Sequence, residues 1–175
     1  MATLNEYTYT TGSIALSNFI KVFEVEGKVV ALLFAYNENM PVPKHDFQKI
    51  SSKLKIVKEL FVIKNMPFKE KIKILKSMAV HESNKAKLIK HGSSEIFLFV
   101  TDPSCQGKGY GKQLLSAFFE YCKNAGVQAV QIETNRLGAS TFYEKVGCQL
   151  KGDFDSPLHE YTTKGGQACA YEYIL

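Results

Sequence analysis

The sequence predicts an α/β fold in which a mixed sheet carries helices on both faces. Three observations lead there. Two apolar runs meet at the turn Glu26-Gly27-Lys28. Between Glu95 and Glu133 an apolar run, a glycine loop, an amphipathic helix and a further apolar run follow one another. Two more strand-like runs close the chain. A strand–helix–strand unit demands a parallel pair with a right-handed crossover, and the flanking hairpins demand antiparallel partners around it.

Each element has its own reason. Val22, Phe23 and Val25 lead through the glycine turn into Val29 to Tyr36, an antiparallel hairpin. Its second strand is apolar throughout, so both of its faces are expected to be covered. Pro41 and Pro43 break the chain after it. From His45 to Phe61, the residues Phe47, Ile50, Leu54, Val57, Leu60 and Phe61 recur at helical spacing. Past Pro67 a second helical pattern has Phe68, Ile72, Leu75, Met78 and Ala79 as its packed stripe and lysines on the other face. Glu95 to Val100 is a strand. Leu114, Leu115, Phe118, Phe119 and Cys122 mark one face of a helix that Gly126 ends. Val127 to Ile132 is the next strand, and Ala139, Phe142, Tyr143 and Val146 form a short helix stopped by Gly147. Cys148 to Phe154 and Cys169 to Leu175 are the last two strands, joined by a long polar loop with Gly165-Gly166.

Composition narrows the function classes. The 175 residues are 45% hydrophobic and 22% charged, the balance of an ordinary globular domain, and residues 1–175 are read as one domain. No apolar run approaches the ~20 residues of a membrane helix. Met1 to Tyr9 is polar and carries only Glu6, so it does not read as a secretory signal. Four cysteines lack zinc-type spacing and are expected to be free thiols in a cytoplasmic protein without a metal. The net charge of +5 is concentrated between Lys44 and Lys90. No nucleic-acid motif accompanies it, so nucleic acid is not expected as a partner.

The chemistry is concentrated in residues 106 to 112. Gly107, Gly109 and Gly111 alternate between the end of a strand and the start of a helix. Glycine lets backbone approach a ligand closely. The unpaired N–H groups of a helix start then face outward, with the positive end of the helix dipole behind them. That combination is a phosphate cradle, with Lys108 and Lys112 at its rim. The nucleotide pattern GxxxxGK[ST] fails at Gln106 and at Gln113. The dinucleotide pattern GxGxxG fails at Lys112 or at Leu114. What fits is Q-x-x-G-x-G: Gln106, Gly109 and Gly111.

With FVTDPSCQGKGYGKQLL followed by ASTFYEKVGC, the stretch from Glu95 to Leu150 resembles the GNAT superfamily of N-acetyltransferases. The resemblance implies a mostly antiparallel sheet with a central splayed parallel strand pair. It implies acetyl-CoA as co-substrate, its pyrophosphate held by Gln106, Gly107, Lys108, Gly109, Tyr110, Gly111 and Lys112. Pantetheine would run along the backbone of Phe99, Val100 and Thr101 and across to the strand Val127 to Glu133. Asn135 and Ser140 would lie beside the coenzyme, and Tyr143 near the thioester sulfur. The two dozen residues before the hairpin are fewer than the family usually has. Shortened N-terminal elements, or completion by a second chain in a homodimer, follow as expectations.

Direct transfer to an amine needs an oxyanion site, a base and an acid. The expected oxyanion donor is the amide near Val100. An alkylamine with a pKa of ~10.4 must lose a proton, and Glu95, Asp102 and Glu133 are the candidate bases, with Glu133 ranked first for its place at a strand end. Tyr143 is the expected acid, its phenol being un-ionised at neutral pH. The alternatives are an ordinary half-buried tyrosine and ordinary surface carboxylates. His45, His81, His91 and His159 read as structural or solvent-facing, and Cys105 has no base beside it to make it a nucleophile. No dense carboxylate cluster marks a seat for a strongly cationic acceptor. A second reading is a coenzyme-A-binding sensing or interaction module without catalysis.

Overall fold

A computed structural model describes residues 13–14, 16–41, 66–158 and 167–175. The expected helix from His45 to Phe61, His159 and most of the N-terminal segment lie outside those residues. The described elements are β1 (Phe19–Val25), β2 (Lys28–Tyr36), α1 (Phe68–Lys85), β3 (Glu95–Thr101), α2 (Tyr110–Asn124), β4 (Ala129–Asn135), α3 (Ser140–Lys145), β5 (Gln149–Asp155) and β6 (Gln167–Ile174). A short 3-10 turn, Pro103–Cys105, separates β3 from the glycine loop. The order and type of these elements follow the sequence reading.

The six strands form one sheet in the order β1-β2-β3-β4-β6-β5. All neighbours are antiparallel except β3 and β4. The parallel contact is brief: Glu95 pairs with Gln131 and Ile96 with Ile132, and there it ends. Beyond those residues β3 stays with β2 as far as Thr101, while β4 stays with β6 as far as Asn135. The centre of the sheet therefore forks.

The two faces of the sheet differ in kind. On one, α2 sets Leu114, Leu115, Phe118 and Cys122 against Ala31, Leu33, Ala35 and Ile96, and with Val130, Ile132 and Tyr171 these make the apolar core. Burying such side chains contributes roughly 1.5–3 kcal/mol each before chain entropy is counted. The short α3 packs on the same side through Tyr143. The other face carries α1. Here the expected packed stripe holds only in part: Ile72, Leu75 and Met78 are half-buried, Phe68 is 67% exposed, and the residues that α1 buries fully are Lys71, Ser77 and His81. Ser77, His81 and Lys85 recur every four residues, so one side of the helix is polar and faces polar partners on the sheet. No helix among the described residues is long and apolar enough to cross a membrane.

Candidate active site

The glycine loop sits where β3 hands the chain to α2. Asp102 accepts from the backbone N–H of Ser104 at 2.9 Å and from its hydroxyl at 2.7 Å, which turns the chain sharply. These bonds, with Lys28 at 3.1 Å, hold the Asp102 carboxyl down to about 2. Asp102 is thus occupied as a turn-former. Gly109 caps α2 with φ of 83°, a left-handed conformation that costs glycine little. The N–H groups of Gly107 and of Gly109 to Lys112 find no acceptor among the described residues, whereas those of Gln106 and Lys108 close turns onto Pro103 and Cys105. The ring of Tyr110 stacks on Phe23, centroids 4.5 Å apart, which leaves its amide for the cradle. Gly111 is required by packing: a Cβ there would lie 2.9 Å from Phe99 Cζ and 3.1 Å from Thr101 Oγ1.

The fork lies beside the cradle. The Asp102 N–H donates to Val30 O at 2.8 Å. In an antiparallel ladder that phase repeats every second residue, so Val100 and Leu98 also bond β2, while Phe99 and Thr101 turn their backbone groups into the fork. The expected role of the Val100 amide is corrected accordingly: its N–H belongs to the β2 ladder, and Val100 has no backbone donor for a ligand. On the opposite strand the Arg136 N–H donates to Gln167 O and the Gln131 N–H to Ser94 O. The same alternation turns Glu133 and Asn135 toward the fork.

Tyr143 lies on the α2 side, its ring 6.4 Å from Phe99 and 6.1 Å from Tyr171. It is 4% exposed. Burial raises its pKa well above the ordinary phenol value, so it stays protonated. Its hydroxyl makes no hydrogen bond among the described residues, whereas the Tyr171 hydroxyl donates to Glu144 at 2.7 Å. Asn135 Oδ1 accepts from the Leu137 N–H at 2.8 Å, and the Ser140 hydroxyl donates to Arg136 O at 2.7 Å. Both side chains thus shape the turn into α3.

On the α1 side a buried polar cluster meets the fork. Lys85 Nζ bonds Glu95 Oε1 and lies 3.0 Å from Glu133 Oε2. His81 places Nε2 3.4 Å from Glu133 Oε1 and Nδ1 2.7 Å from Ser156 Oγ. Burial works against the charge on Lys85, but Glu95 and Glu133 outweigh it and hold the pKa above the usual lysine range. Burial raises the Glu95 carboxyl, with Lys85 opposing. One strand further, Glu172 accepts from Gln131 Nε2 at 2.6 Å and from Lys151 Nζ at 2.9 Å. Of the two expected places for His81, structural or solvent-facing, it takes the first: it is buried beside a hydroxyl and a carboxylate. One expectation is corrected here. Glu95, Glu133 and Glu172 form a carboxylate cluster that no stretch of sequence contains, because three strands supply one member each. The spacing of Ser77, His81 and Lys85 along α1 was the one local signal, and a lysine-rich helix hides it.

Residues 68–148 match the model of the Acetyltransferase (GNAT) family. No curated protein matches the chain in sequence. Among solved structures the fold is similar to the IAA acetyltransferase from Bacillus cereus ATCC 14579, with TM-score 0.52, 16% identity, and 89% of this chain and 77% of that one covered. It is also similar to the ribosomal-protein-S18-alanine N-acetyltransferase from Escherichia coli, with TM-score 0.51, 12% identity, and 94% and 75% covered. A GNAT family acetyltransferase from Elizabethkingia anophelis with acetyl-CoA bound gives TM-score 0.51, 11% identity, and 89% and 75% covered. At such identities the likeness shows the fold alone. Residues 68–148 thus match the GNAT acetyltransferase family model, and the sheet has the fold of solved GNAT acetyltransferases, one of them with acetyl-CoA bound.

Proposed function

We propose that the chain is an acetyl-CoA-dependent N-acetyltransferase that moves acetyl directly to a primary amine. The observation that carries this is the fork past Ile96 and Ile132, with open amides at the glycine loop on one side and Glu133 on the other. The backbone of Gly107 and of Gly109 to Lys112 would hold the diphosphate of the coenzyme, aided by the helix dipole. The backbone of Phe99 and Thr101 would hold pantetheine in the fork. One of these two amides is then the oxyanion donor.

The step balances as follows. The ammonium of the acceptor gives a proton to the Glu133 carboxylate, directly or through water. The freed lone pair attacks the acetyl carbonyl carbon, and the C–S bond breaks as the Tyr143 phenol protonates the leaving thiolate. The second proton lost by the nitrogen returns through water to the Tyr143 phenolate, and Glu133 gives the first to solvent. The raised pKa of Tyr143 keeps its proton in place at neutral pH, although it makes the phenol a weaker donor than an exposed one. Holding both reactants in place is worth roughly 7–11 kcal/mol of the barrier in well-oriented systems.

A coenzyme-binding module without catalysis has one observation in its favour: Glu133 is already engaged by Lys85 and His81. Thiol release from acetyl-CoA across a panel of amines separates the readings. Release with at least one amine supports the transferase. Coenzyme uptake by calorimetry with no release from any amine leaves the binding module.

A further inference from the structure

The polar cluster on the α1 face has the chemistry of an ammonium seat. Glu95 and Gln131 are cross-strand partners, and Glu133 follows Gln131 by two residues, so all three side chains rise from one face at the vertex of the fork. The group they surround is the ε-ammonium of Lys85. An ammonium has three donors, and Lys85 gives them to two acceptors, Glu95 and Glu133. The third acceptor is unused: Gln131 is 6% exposed, and its Oε1 has no hydrogen-bond partner. In the sheet register Gln131 stands between Glu172 on β6 and Glu95 on β3, and its Nε2 is taken by Glu172. A buried carbonyl oxygen without a donor is costly. Lys85 is tethered to α1 and leaves it unmet. The side chains of Lys85, Glu95 and Glu133 keep 17%, 11% and 16% of their exposure, so the seat is within reach of solvent.

We propose that Glu95, Glu133 and Gln131 Oε1 form the seat for the acceptor's ammonium group, and that Lys85 is an internal occupant which the acceptor displaces. This rests on the transferase reading and deepens it. The acceptor class that follows is a primary ammonium on an unbranched alkyl chain, the chemistry that Lys85 itself presents there. A free aliphatic amine and a lysine side chain share that chemistry. An internal competitor raises the apparent dissociation constant by the inverse of the fraction of time it leaves the seat free.

Lys85→Met keeps the alkyl shape and removes the charge. In thiol-release assays its KM for n-butylamine is expected to fall about tenfold or more, with KM for acetyl-CoA within about twofold. Nα-acetyl-lysine methylamide run in parallel tells the two sources apart: the better substrate of the two marks the source. A second readout needs no turnover. n-Butylammonium chloride should raise the melting temperature of Lys85→Met, whereas potassium or tetramethylammonium chloride at equal ionic strength should not, and Gln131→Leu added to it should abolish the effect. Where Lys85→Met folds only with help, refolding by n-butylammonium alone supports the seat. An unchanged KM, or a melting temperature that responds to all three salts alike, makes Lys85 a structural counter-ion and overturns the proposal. If the wild type releases thiol with no amine, the transferase reading fails, and the melting experiment still decides on the seat.

Discussion

The two faces of the sheet solve opposite problems. On the α2 face the groups open to a ligand are backbone amides, held by an apolar core and by glycines that bring helix and strand together. On the α1 face they are charged side chains, held by one another and by His81 and Ser156. Backbone donors offer the same geometry whatever the neighbouring side chains, so they suit a ligand part that never varies, such as a diphosphate. Side-chain charges can be replaced one at a time, so they suit the reactant that differs from one acetyltransferase to the next. The difference also separates two kinds of damage. The first face is sensitive to added atoms, and the second to lost charge.

Four experiments sharpen or break this contrast. The largest effect is expected from Glu133→Gln, which keeps the shape and loses the proton acceptor. Thiol release should fall about 1,000-fold, with the acetyl-CoA dissociation constant by calorimetry unchanged. Equal losses in both would move Glu133 to the donor side and erase the distinction. Tyr143→Phe comes next. Turnover should fall about 100-fold with coenzyme affinity retained, and turnover within twofold of wild type would remove the phenol from the mechanism.

Gly111→Ala adds a single carbon against Phe99 and Thr101. Overpacking of this kind costs about 1–3 kcal/mol, and here α2 must move off β3 to relieve it. Coenzyme affinity should drop about tenfold while the preference among amines stays the same. A changed amine preference would mean that the two faces are not independent. The smallest effect concerns Asp102. Its carboxyl titrates near 2 in the folded chain, below its ordinary 3.8. A depressed pKa contributes stability that is full above the ordinary value and is lost as pH falls through the folded one. Asp102→Asn should therefore be less stable than the wild type by a constant amount above about pH 4, and the difference should shrink between about pH 4 and pH 2, as followed by circular dichroism. Below pH 2 the two proteins should coincide.

The same contrast explains what the sequence made legible. The cradle is contiguous: Gln106 to Lys112 can be read as a string, and the glycine alternation between strand and helix needs only local geometry. The fork was legible through resemblance, but its phase was not. Whether Val100 or its neighbours face the gap depends on which residue of β2 bonds Asp102, and a bulge between Phe34 and Ala35 resets that register. The ammonium seat was not legible. Lys85, Glu95, Gln131 and Glu133 come together through sheet order, a long-range property on which no single segment bears. The expected stripe on α1 held only at Ile72, Leu75 and Met78 for the same reason, since the surface beneath a helix decides which of its sides is buried.

The contact of Gly111 with Phe99 has one more result. It packs the start of α2 directly on β3, so the glycine loop and the opening in the sheet are held close together. In the proposed transferase this would gauge the coenzyme by length, as a ruler would. A thioester on a shorter arm, even if gripped at its far end, would stop short of Tyr143.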